Sequence, residues 1–91
     1  MSEETEKKGE TLDDMILRLV SARGEGKTIC PSEAAREFRS QNWQGMMGEV
    51  RKRAIHLAHQ GAITIYRKGK PADPDNFKGI YRLGLPSGEE G

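Results

Sequence analysis

Residues 42–61, NWQGMMGEVRKRAIHLAHQG, decide the fold. Asn42 suits an N-cap, because its side-chain oxygen can accept a backbone N–H from the first helical turn. Gly61 suits the position just past the end, where the left-handed closing conformation carries no Cβ penalty. Between them Met47, Val50, Ala54, Leu57 and Ala58 recur three or four apart, which draws one apolar stripe along a helix. The other side carries Gly45, Gly48, Glu49, Lys52, His56 and His59, with Arg51 and Arg53 on the flanks. The spacing therefore predicts one helix over 42–61, packed on a small core and polar outward.

Upstream, Leu12, Met15, Ile16, Leu19 and Val20 give the cleanest helical period in the chain. Thr11 can cap that helix, Asp13 and Asp14 complement its dipole, and Gly24 ends it after Arg23. Residues 24–27 read as a loop, and Thr28-Ile29-Cys30 as a brief strand. Pro31 fits the first position of a second helix, where its missing N–H costs nothing. Ala34, Ala35 and Phe38 are expected to face inward from it, and Trp43 to anchor the following turn in the core.

After Gly61 the period changes to two. Ile63 and Ile65 alternate with Ala62, Thr64 and Tyr66, and Tyr81, Leu83 and Leu85 alternate with Ile80, Arg82 and Gly84. Residues 67–78, with Gly69, Pro71, Asp73, Pro74, Asp75 and Asn76, read as the long tip of an antiparallel hairpin. The order is helix, short strand, helix, turn, helix, strand, long loop, strand. That is an α+β winged helix-turn-helix domain with a small three-stranded sheet and a hairpin wing.

One domain fits 91 residues. Residues 1–10 form an acidic, almost wholly polar tail and 87–91 a second polar tail, both expected to be disordered, which leaves 11–86 as the winged-helix domain. A domain of this size buries on the order of 60% of its unfolded surface, so a deep catalytic cavity is hard to build inside it. The net charge of +1 conceals a division. Residues 1–14 carry two basic and six acidic side chains, while 15–86 carry thirteen basic and six acidic, a surplus of +7. A basic body between acidic ends suits an anionic partner. Cys30 is the single cysteine, so no internal disulfide forms, in keeping with a reducing cytoplasm. The acidic start is no signal peptide, and no run approaches the ~20 apolar residues of a membrane span.

The chain resembles a family of small bacterial proteins of unknown function with a winged-helix prediction. The likeness rests on Lys27-Thr28-Ile29-Cys30-Pro31-Ser32-Glu33-Ala34-Ala35-Arg36, on Asn42-Trp43, Met47, Val50-Arg51 and Gly61. It continues in Gly69-Lys70-Pro71-Ala72-Asp73-Pro74 and Gly79-Ile80-Tyr81-Arg82-Leu83. The resemblance implies the fold and no reaction, ligand or functional residue.

From the residues themselves, two binding functions stand out. The first is double-stranded DNA, with the long helix in the major groove and the wing on the backbone, as in a small monomeric regulator. Gln44, Glu49 and Lys52 would approach base edges, and Arg67, Lys68, Lys70 and Lys78 would neutralise phosphates. Gly45 and Gly48 stand where long base-reading side chains are usual, so shape-reading contact fits better than a sharp sequence code. The second is a protein-interaction module using the glycine-bearing helix face, Met46 and Tyr66.

Other patterns carry less. Gly26-Lys27-Thr28 ends like a phosphate-binding loop, but Ser21 stands where its first glycine belongs and the helix and strand come in the wrong order. His56 and His59 have no third ligand nearby, Asp73 and Asp75 are common turn residues, and Cys30 reads as a small buried strand-end residue. No nucleophile, base and orienting group assemble from this sequence, so it reads as a non-enzyme without cofactor or metal.

Overall fold

The computed structural model describes residues 10–86. The two expected tails lie outside the described residues except for Glu10, whose carboxylate accepts from Arg18 Nε at 2.8 Å.

Helix α1, Leu12–Arg23, begins as its sequence predicts. Thr11 Oγ1 accepts from the Asp14 amide at 3.0 Å, while the Asp14 carboxylate faces the Thr11 amide at 3.5 Å. This reciprocal cap satisfies amides that no helical carbonyl reaches. Leu12, Met15, Ile16 and Val20 are buried on one face, each fully buried apolar side chain contributing about 1.5–3 kcal/mol.

Strand β1, Thr28–Ile29, leads into helix α2, Pro31–Phe38. Glu33 holds the start of α2: its amide donates to the Cys30 carbonyl at 2.9 Å and its carboxylate accepts from the Cys30 amide at 3.1 Å. Ala34 and Ala35 are fully buried, but the inward stripe stops there. Phe38, expected inside, is the last residue of α2 and 39% exposed, because it stands one turn beyond the point where the core ends.

The helix predicted over 42–61 is divided. Trp43–Met46 is a 3₁₀ turn, and helix α3 proper runs Met47–His59. Asn42 does not cap it through its side chain. Its φ of 59° is left-handed, whereas a side-chain N-cap needs an extended backbone. Asparagine tolerates this conformation, and two donors converge on its carbonyl instead: the Gly45 amide at 3.1 Å and an Arg39 guanidinium nitrogen at 3.2 Å. Trp43 is half-buried rather than enclosed, with the Arg36 guanidinium carbon 5.0 Å from its ring centroid. At the other end the reading of Gly61 is met. Gly61 has φ 77°, its amide donates to Ala58, and the Ala62 amide donates to Leu57, both at 3.0 Å. These are the paired bonds of a left-handed helix stop.

Strands β2, Thr64–Arg67, β3, Lys70–Pro71, and β4, Arg82–Gly84, join β1 in one antiparallel sheet of order β1-β4-β2-β3. Ile29 pairs with Leu83 and Leu83 with Ile65, placing three buried side chains in a row across the sheet. Val20, Ala34, Ala35, Val50, Ala54 and Leu57 of the helices belong to the same core. The result is an α+β, winged-helix-like fold.

The sheet has one strand more than expected. Lys68 and Gly69, at φ 53° and 81°, make a two-residue turn that lets β3 fold back on β2. Both central residues having positive φ matches the twist of the flanking strands, and Pro71 is tolerated because β3 is an edge. The chain then returns over residues 72–81. This stretch is not merely a tip: Phe77 is buried and meets Tyr81 edge-on, with ring centroids 5.1 Å apart.

Candidate nucleic-acid interface

The outer side of α3 is held open by the bonds its flanks make elsewhere. Arg53 grips Asp13 of α1 with two nitrogens, the second at 2.7 Å from Asp13 Oδ2. This paired contact holds the Asp13 carboxyl below its ordinary range and the Arg53 guanidinium above its own. Arg51 reaches the other way. Its guanidinium donates to the Phe77 carbonyl at 3.0 Å and lies 4.1 Å from the Phe77 ring centroid. It also flanks Tyr81, whose phenol burial pushes up in pKa. His59 meets Asp75 at 2.8 Å. Thus one arginine fastens α3 to α1, while the other and His59 fasten it to the 72–81 return.

Between those ties Gln44, Gly45, Gly48, Glu49, Lys52 and His56 are exposed. Gln44 stands on the 3₁₀ turn; Glu49 and Lys52 stand on α3 itself. Lys78 follows Phe77, whose carbonyl accepts from Arg51, and is itself exposed.

Arg67, Lys68 and Lys70 are gathered separately at the β2–β3 turn, where Arg67 pairs with Lys70 in the ladder. Lys68 and Lys70 are exposed. Arg67 is turned back, donating to the Ile80 carbonyl at 2.8 Å. Arg82 was not among the sequence candidates, yet it spans from β4 to β1, donating to Thr28 Oγ1 at 2.7 Å. A basic residue at an outward strand position was the available signal.

Tyr66 leans along the sheet, its hydroxyl donating to the Leu85 carbonyl at 3.3 Å. Met46 packs partly buried against the core. Cys30 is half-buried, its sulfur 3.1 Å from Ser32 Oγ. Among the described residues, no three His, Cys, Asp or Glu side chains are grouped to hold a metal ion, and no helix is long and apolar enough to cross a membrane.

The class so defined is a winged-helix-like domain that presents an open helix face and a basic hairpin. Residues 9–86 match the family described as "Protein of unknown function (DUF3253)", and the chain belongs to that family. No curated protein matches the chain.

Proposed function

We propose that this chain binds double-stranded DNA as a small, non-enzymatic regulator of bacterial type, acting in the cytoplasm. The observation that carries the reading is the outer face of α3, where Glu49, Lys52 and His56 are exposed while Arg51 and Arg53 are bonded elsewhere. The Arg51–Phe77 contact ties the return loop to α3, and Lys52 and Lys78 are exposed cations on these two elements. The face is 13 residues of helix in length, enough to lie along a major groove. Lys68 and Lys70 on the hairpin supply cations for the flanking backbone, where each neutralised phosphate releases counterions.

The arrangement favours shape reading over base reading. Arg51 and Arg53 are engaged within the fold, and Gly45 and Gly48 offer no side chain to a base edge. Glu49 repels phosphate unless it accepts from a cytosine amino group. Affinity should then be salt-dependent and weakly selective.

The test is a titration of the isotope-labelled protein with a mixed-sequence duplex, followed by NMR at low and moderate salt. Salt-sensitive shifts concentrated in residues 44–52, at 68–70 and at Lys78 support the reading. An unchanged spectrum at low salt ends it.

A further inference from the structure

We propose that a groove on the sheet, separate from the α3 face, binds a small aromatic anion, such as an aryl phosphate or aryl carboxylate. The groove encloses about 740 Å³ and runs from the bend before β1 to the β2–β3 turn. That volume lies within the range of small-molecule sites, roughly 300–1,000 Å³. A duplex is far too thick to enter it.

Charge selects the anion. Lys27, Arg67, Lys68 and Arg82 line the groove, and no carboxylate does. Arg67 and Arg82 donate to neutral oxygens, of Ile80 and Thr28, so those bonds orient the guanidinium groups without cancelling their charge. Four cations around one concavity repel one another and raise the local potential for an anion.

The walls select the aromatic body. Ile80 is 84% exposed, an unusual state for a branched apolar side chain, and it lines this groove. Tyr66 lines it as well, fixed through its hydroxyl to Leu85. A planar guanidinium and a phenol ring are surfaces on which a flat π-system stacks. Because Tyr66, Arg67 and Arg82 are already held by protein hydrogen bonds, the ligand need order few side chains to bind.

The inference does not rest on duplex binding. Its probe is 1-naphthyl phosphate, with inorganic phosphate and 1-naphthol as the two halves alone, added to the labelled full chain. The expected result is saturable shifts at residues 26–28, 66–69 and 80–82, with half-saturation at least about tenfold lower than for either half. Ile80→Ser and Lys27→Gln alter exposed side chains outside the core and should each weaken binding, the former by about tenfold. Shifts absent from these residues, binding equal to that of inorganic phosphate or 1-naphthol, or variants that bind like the parent would each overturn the proposal. Shifts on α3 with duplex but none in the groove with the aryl phosphate would leave the DNA reading standing and remove this one.

Discussion

Tyr66 crosses Gly84 on the neighbouring strand so closely that a methyl group on Gly84 would stand 2.9 Å from Tyr66 Cε2. The same methyl would meet the Lys27 carbonyl at 3.0 Å and Thr28 Cγ2 at 3.2 Å. Gly84 is buried in the central strand, so neither neighbour backbone can yield freely. Gly84→Ala should destabilise the fold by about 1–3 kcal/mol through overpacking. Adding Tyr66→Ala should restore only part of that loss, because the Lys27 carbonyl remains. Urea unfolding of the two single variants and the double variant measures both terms, and full recovery would assign the whole clash to the ring.

Phe77 is the side chain on which the return loop is founded. It is buried, stacked under Arg51 and edge-on to Tyr81. Phe77→Ala should lose about 3–5 kcal/mol, a large part of the stability of so small a domain. Amide exchange should quicken first at residues 72–81, the stretch that Phe77 anchors in the core. Uniform acceleration across the chain would instead show that this loop unfolds only with the whole.

The Asp13–Arg53 bridge gives stability a definite pH dependence. The Asp13 pKa is lowered in the fold, chiefly by the hydrogen bonds from Arg53. A depressed folded-state pKa means the contribution is fully present above the ordinary carboxylate value and disappears as pH falls through the folded value. Asp13→Asn should therefore lower the unfolding midpoint at pH 7, with the gap to the parent closing in acid as the pH falls below the ordinary aspartate value. A gap that stays constant with pH would assign the effect to packing rather than charge.

Lys68 occupies a left-handed backbone at φ 53°, next to Gly69 at 81°. Asn-Gly is a preferred pair for this turn, so Lys68→Asn should hold or raise stability by up to about 1 kcal/mol. The same change should weaken aryl phosphate binding. A stabilised variant with reduced binding would mark Lys68 as a residue kept at some conformational cost for its charge.

Lys52, Lys70 and Lys78 test the duplex reading one charge at a time. Each change to Gln should flatten the slope of log affinity against log salt by about 0.9 if that lysine meets one phosphate. None should alter thermal stability much, since all three are exposed. A slope unchanged by all three would move the phosphate contacts elsewhere.

The sequence makes plain what is local. Thr11 caps α1, Pro31 opens α2, Gly61 closes α3, and alternation marks Ile63, Ile65 and Leu83 as buried. Other features escape it because their causes are distant in the chain. Arg51 meets a carbonyl 26 positions away, Arg53 a carboxylate 40 away and Arg82 a hydroxyl 54 away. Sequence periodicity therefore shows where these arginines point but not that they are already bound. Strand β3 is two residues long and exists through its pairing with β2. Phe77 sits among turn-forming residues, and its packing with Arg51 and Tyr81, which carries that stretch into the core, is tertiary. The candidate cations are legible as charges; the pairing of Arg67 with Lys70 across the β2–β3 turn is tertiary.

The last strand in the chain, β4, lies between β1 and β2. Neither β1 nor β2 can complete its ladder before residues 82–84 arrive, and Leu83 is the buried side chain that joins Ile29 to Ile65. During synthesis α1, α2 and α3 all leave the ribosome before the strand that closes their sheet. The nascent chain therefore carries an unclosed core until translation has passed Gly84. A premature stop shortly before Arg82 would leave a protein almost complete in length and unable to close its sheet.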